Sequence, residues 1–118
     1  VGDNKVRRVA ELINEATQHL TRLSGYVERS DLSDDIVFDA VCMRLSAAID
    51  ALSRIEETRR IALFGDNWRA MWGLRNRIAH GYVTVDRASV EATVRTDVPE
   101  LIATLVDAAH RRSTGHPT

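Results

Sequence analysis

The sequence is poor in the features that mark secreted and membrane-bound proteins. Only one cysteine, Cys42, occurs among its 118 residues, so no intramolecular disulfide is possible and a reducing cytoplasm is the expected location. Because Cys42 lies in an apolar run, we interpret it as a small buried side chain rather than a nucleophile. No apolar run reaches the roughly 20 residues that a membrane-spanning helix requires. Asp3, Glu11 and Glu15 interrupt the N-terminal segment, so we expect no signal peptide.

An excess of charge of one sign is also lacking. Sixteen Lys and Arg residues face 17 Asp and Glu residues, for a formal net charge of −1, so any RNA affinity must come from a local patch. No Walker loop, GxGxxG or Cys/His cluster is present, and we expect no metal and no cofactor. Glu11, Glu15 and His19 share one helix face by spacing. A solvated face is favoured over a metal site, because no further ligand accompanies them.

Apolar residues recur at alternating spacings of three and four, which predicts helices and no strands. One apolar seam runs along 6–27, a helix of about 25 residues, and a second runs along 38–55. The short polar connection between the two predicts an antiparallel pair. The charged run 56–60 is interpreted as the solvated end of the second helix rather than as an RNA contact.

Three further helices are expected in the second half of the chain. Asp66 can cap a third helix that ends near His80, and a short fourth helix covers about 86–95. A capping box at 97–100 begins the last helix, and residues from about 113 are expected to fray. The sequence therefore predicts one all-α domain over 1–118, an antiparallel up-and-down four-helix bundle with an extra short helix.

The third helix carries aromatic residues and a glycine that need an explanation. Trp68 and Trp72 stand one turn apart, and packing in the core or at a subunit interface is favoured over stacking on bases. Gly73 in mid-helix costs roughly 1 kcal/mol relative to alanine. We interpret it as a point of close approach by another backbone, such as a partner helix.

The stretch from Arg75 to Tyr82 concentrates the polar chemistry of the chain. Arginine binds phosphate as a planar fork, and histidine titrates near neutral pH. Residues five apart on a helix point about 140° away from each other, so Arg75 and His80 do not line one narrow face, whereas Asn76 and His80 do. This favours a groove, such as one at a dimer interface. From the residues alone, a site acting on a phosphodiester and a histidine–tyrosine pair that only ends the helix both remain open.

The same stretch resembles the R-x4-H-x-Y signature of the HEPN superfamily, as Arg75, His80 and Tyr82. The preceding segment 66–76 resembles the PWR-x-I-x-G-M-R-N lead-in of HepT-like toxins, with Asn67 in the place of the usual proline. Val85-Asp86 and the segment 97–101 resemble later parts of that family. The resemblance extends from about residue 6 to residue 105, and it favours a functional motif over a helix end alone.

The resemblance implies a fold, an activity and partners. HEPN domains commonly form homodimers in which two motifs face a shared cleft, and HepT-like toxins are metal-independent endoribonucleases paired with a minimal nucleotidyltransferase antitoxin. Arg75 and His80 would be catalytic, supported by Asn76 and Arg77, and the antitoxin would transfer AMP to Tyr82. The alternative is a non-catalytic helical module that docks a nucleotidyltransferase or RNA.

Overall fold

The computed structural model describes residues 2–81 and 85–114. This part of the chain contains no strand, which confirms the predicted all-α class. It also contains no helix that is long and apolar enough to cross a membrane. The helices, in chain order, are α1 (Gly2–Arg29), α2 (Asp35–Ser53), α3 (Glu57–Phe64), α4 (Asn67–Ala79), α5 (Arg87–Ala92) and α6 (Val98–Thr114).

The two long N-terminal helices form the antiparallel pair that the apolar seams predict. Glu15 of α1 pairs with Arg54 at the end of α2, whereas His19, further along α1, contacts Arg44, which lies earlier on α2. The order of these contacts shows that the helices run in opposite directions. The seam of α1 is almost fully buried from residue 9 to residue 23, at Val9, Leu12, Ile13, Ala16, Leu20 and Leu23.

The segment after α2 differs from its prediction. Helix α2 ends at Ser53, and a separate short helix, α3, begins at Glu57. Arg60 is partly buried, and its Nη1 donates hydrogen bonds to the backbone carbonyls of Ser53 and Ile55 at 3.2 and 2.9 Å. Residues 56–58 are exposed, as the interpretation of a solvated segment requires, but the run begins a new helix instead of ending α2. For Arg60 the interpretation is wrong, because its side chain satisfies carbonyls near the end of α2 that would otherwise lack partners.

The C-terminal helices form one continuous element. A π-helical turn, Thr93–Asp97, joins α5 directly to α6. The predicted capping box at 97–100 is wrong, because Asp97 lies within this turn and not at a helix start. Val90, Val94 and Val98 recur every four residues, which drifts ahead of the 3.6-residue α-helical period. The wider turn absorbs this drift, so that all three valines stay buried.

The long elements pack as the predicted four-helix bundle, but the extra short helix is α3, whereas the helix predicted at 86–95 is continuous with α6. Helix α1 packs against α2 and α6, and α2 also packs against α4. A groove of about 390 Å³ lies between α4 and the α5–α6 element, with Leu45 and Ile49 of α2 among its lining residues. Helix α4 therefore has one flank on α2 and another flank on this groove.

Candidate functional site

Helix α4 carries the motif, and its end is defined by backbone bonds and by a glycine. The amide of His80 donates to the carbonyl of Asn76 at 3.0 Å, and the amide of Gly81 donates to that of Ile78 at 3.1 Å. Gly81 has φ of 119°, as predicted for the residue that ends this helix. At the other end, the predicted cap is wrong: Asp66 has helical dihedral angles and its side chain makes no capping hydrogen bond.

Arg75 is held against α2. Its Nη2 donates to Oδ1 of Asp50 at 3.2 Å, and its Nη1 donates to Oδ1 of Asn76 at 3.3 Å. Its guanidinium also lies 4.9 Å from the ring centroid of Trp72, within the range of a cation–π contact. The side chain remains 30% exposed, so part of its donor set faces solvent and can meet an anion.

His80 lies on a different side of the helix. It is exposed at the C-cap of α4, and within the described residues no hydrogen bond joins its imidazole to Arg75. The separation follows from the helical angle of about 140° between residues five apart. Asn76 shares the outer face with His80 and accepts a hydrogen bond from Arg75. Asn76 therefore contacts both motif residues, Arg75 through its side-chain oxygen and His80 through its backbone carbonyl.

Of the remaining predicted site residues, Arg77 lies on another flank of α4. Arg77 is exposed and lines the groove between α4 and the α5–α6 element, whereas Arg75 faces α2. Support of one phosphate by both arginines would therefore need a substrate or a second subunit that spans α4. Tyr82, the predicted AMP acceptor, lies outside the described residues.

The two tryptophans pack as predicted, with one flank on the core. Trp68 and Trp72 are partly buried against the core cluster. Phe64, Trp68 and Trp72 form a stacked series with centroid separations of 6.0 and 5.9 Å. Arg60 lies over Trp68 in the same way that Arg75 lies over Trp72. The aromatic series therefore places two guanidinium groups along one side of the α3–α4 hairpin.

The α3–α4 hairpin supplies the local basic region that RNA binding would require. Residues 57–80 contain five arginines and two carboxylates, a formal charge of +3, although the whole chain carries −1. Positive charge on one element attracts a polyanion even when the net charge of the protein is near zero. The motif thus lies in a segment with a net positive charge, one part of which is paired with Asp50 of α2.

Two other interpretations can be compared with the structure. Glu15 and His19 are partly buried and contact arginines from α2 and its C-cap, so the interpretation of a solvated face holds only for Glu11. Cys42 is fully buried, and this burial, with the charge of Asp39 adding to it, raises the pKa of the thiol to about 11. Cys42 is therefore a packing residue, as predicted.

Asp50 is a site neighbour that sequence reasoning missed. It lies on α2, 25 residues before Arg75, and no motif spacing connects the two. The only signal in the sequence is an acidic residue within an otherwise apolar stretch of the second helix, at 47–52. That signal is weak, because most such residues lie on the solvated face of a helix.

Comparison with models of protein families matches residues 13–107 to the family described as Ribonuclease HepT-like. The matched span runs from within α1 to within α6, and it includes the whole of α4 and the motif at its end. No solved structure matches the chain.

Proposed function

We propose that this chain, which belongs to the HepT-like ribonuclease family, is the toxin of a toxin–antitoxin pair and cleaves RNA in the cytoplasm without a metal ion. The observation that carries this proposal is that the partly exposed Arg75 bonds the side chain of Asn76, which stands one helical turn before the exposed His80. A phosphate-binding cation and a proton-transfer group thus occur on one basic hairpin.

The proposed reaction is attack by an RNA 2′-hydroxyl on the adjacent phosphorus. A base takes the 2′-hydroxyl proton, the 2′-oxygen bonds to phosphorus, and the bond to the 5′-oxygen breaks as an acid protonates it. The products are a 2′,3′-cyclic phosphate and a 5′-hydroxyl. His80 serves as base or acid, Arg75 stabilises the negative charge that develops on the phosphorane, and Asn76 orients His80.

A symmetric dimer completes the proposed site. Arg75 and His80 of one α4 point in different directions, so a second copy is needed to enclose a phosphate between such groups. Gly73 supports this arrangement. A Cβ atom at Gly73 would meet only Nη1 of Arg77, at 3.6 Å, so packing within the described chain does not require a glycine there. Close approach by the partner's α4 provides a reason for it. Arg77, on the other flank, would then contribute positive charge to the RNA strand beyond the scissile phosphate.

The catalytic assignment is tested by RNA cleavage in EDTA. Replacing Arg75 or His80 with alanine is expected to lower the rate by roughly 10²-fold or more, because charge stabilisation or proton transfer is lost. The control is His110→Ala, which removes an exposed histidine of α6 and should leave the rate unchanged. Circular dichroism should show that all variants stay folded. A folded His80→Ala protein with full activity would overturn the assignment, and binding without cleavage by wild type would support the non-catalytic module.

We propose further that a cognate nucleotidyltransferase neutralises the toxin by modifying Tyr82. The phenol oxygen would attack the α-phosphorus of ATP, forming a phosphodiester to AMP and releasing pyrophosphate. The added negative charge would pair with Arg75 and occupy the phosphate position. Incubation with the partner enzyme, ATP and magnesium should add AMP to wild type and to Tyr26→Phe, but not to Tyr82→Phe. Neutralisation with no change in intact mass would show inhibition by binding alone.

A further inference from the structure

Arg75 forms an ion pair with Asp50. Among the ion pairs given by the described residues, this one has the least exposed arginine side chain. The arginine of this pair is 30% exposed, whereas the arginines of the other interhelical pairs, Arg54–Glu15 and Arg87–Asp35, are each 43% exposed. The guanidinium of Arg75 also contacts Asn76 and Trp72. Its Nε is buried without a hydrogen-bond partner. Arg75 is therefore held in one orientation by α2 and by its own helix.

A carboxylate beside a phosphate-binding arginine is not explained by binding alone. It neutralises part of the positive charge and repels a polyanion, so it lowers the affinity for RNA. Nor does it explain the fold, because a half-exposed ion pair contributes little to stability. Asp50 does, however, determine the orientation of the Arg75 side chain. An arginine side chain has several rotatable bonds, and one fixed acceptor selects among its rotamers.

We propose that Asp50 is a positioning residue of the ribonuclease site. It fixes the guanidinium of Arg75, and through the bond from Nη1 of Arg75 it fixes the side-chain amide of Asn76. Because Oδ1 of Asn76 accepts that bond, its NH₂ group is directed away from Arg75 and is available on the face that carries His80. This inference deepens the proposed function and rests on it.

The proposal predicts a distinctive change in kinetics. Asp50→Asn should lower kcat roughly tenfold or more, because misplaced catalytic groups lose rate steeply with small displacements. KM should stay constant or fall, because a negative charge near the RNA has been removed. Asp50→Glu should recover part of the rate. A purely structural residue would instead reduce the folded fraction, and a residue that shields Arg75 from RNA would give a higher rate when replaced.

The chain offers a matched control in Glu15→Gln. Glu15 pairs with Arg54 across α1 and α2, at 44% exposure compared with 46% for Asp50, and its partner is not a residue of α4. The Glu15→Gln variant should leave kcat unchanged. In the Arg75→Ala background, Asp50→Asn should cause no further loss, because its effect passes through Arg75. Independent losses from the two substitutions would overturn the proposal.

Nuclear magnetic resonance of the arginine side chains separates this proposal from the proposed function. Hindered rotation of the Arg75 guanidinium should appear in wild type and in Glu15→Gln, and should be lost in Asp50→Asn. If wild type cleaves RNA but Asp50→Asn behaves as Glu15→Gln does in both measurements, the positioning role is overturned while the ribonuclease assignment stands. If wild type cleaves no RNA, the proposed function fails, and an Arg75 signal that does not respond to Asp50→Asn overturns the positioning role as well.

Discussion

Replacing Gly73 with alanine should have opposite effects on the stability of one chain and on its dimer. Within one chain, the new methyl group meets only the end of the flexible Arg77 side chain, at an ordinary contact distance of 3.6 Å. The gain in helix propensity, roughly 1 kcal/mol, should therefore appear in full. For a domain of this size it corresponds to a rise in Tm of about 4 °C.

The dimer should be weakened by the same change if Gly73 lies where two α4 helices meet. Two added methyl groups then face each other across the two-fold axis, and overpacking of a tight contact costs about 1–3 kcal/mol. A cost of about 1.4 kcal/mol already weakens association tenfold. Sedimentation equilibrium gives the dimer Kd, and urea unfolding at protein concentrations below that Kd gives the stability of the monomer.

Gly25→Ala is the matched control. Gly25 lies within α1, and the nearest atoms to a Cβ there would be those of the Arg29 guanidinium, at 3.4 Å. This variant should also gain stability but should leave the dimer Kd unchanged. If Gly73→Ala gains stability and dimerises as tightly as Gly25→Ala does, α4 does not meet its copy at Gly73. If it destabilises the monomer, the reasoning from the open space around Gly73 is wrong.

Two further predictions concern the fold. Arg60→Ala should lower the free energy of unfolding by about 2 kcal/mol or more in urea titrations, because two carbonyls lose a charged donor, whereas Arg59→Ala should change it little. Cys42 should resist iodoacetamide at pH 8 in the folded protein and react in urea, since burial raises the pKa of its thiol from 9.0 to about 11. As pH rises, the thiol of the unfolded chain loses its proton before the thiol of the folded chain, so the free energy of unfolding should fall between the two pKa values. Rapid labelling of Cys42 in the folded protein, or a free energy of unfolding that does not change over this pH range, would contradict the prediction.

The apolar seams predict most of the fold, because apolar residues at helical spacing lie on one face of a helix and that face is buried in the core. Residues 9–23 of α1 are buried where the seam places them. The errors arose where a local signal competes with packing. The charge of the run 56–60 predicts a solvated segment, whereas the Arg60 guanidinium donates to backbone carbonyls and lies over Trp68. The capping pattern at Asp97 was overridden because Val94 and Val98 are buried.

The candidate site, like the fold, could be predicted from the sequence only in part. Helical geometry alone predicts that Arg75 and His80 diverge and that Asn76 lies with His80. It cannot predict Asp50, because the contact depends on how α2 and α4 pack and on which faces they present to each other. Nor can it predict which neighbouring element Arg75 and Arg77 each face, because this depends on where α2 and α6 pack around α4.

The central claim is that this chain cleaves RNA by attack of the 2′-hydroxyl, with proton transfer at His80 and no metal ion. The most direct measurement is the chemistry of the RNA ends produced in EDTA by wild type and by His80→Ala, determined by mass spectrometry. The claim predicts 2′,3′-cyclic phosphate and 5′-hydroxyl ends from wild type, little product from His80→Ala, and no cleavage of a fully 2′-deoxy strand. Products with 5′-phosphate ends, or cleavage that requires added metal, would contradict it.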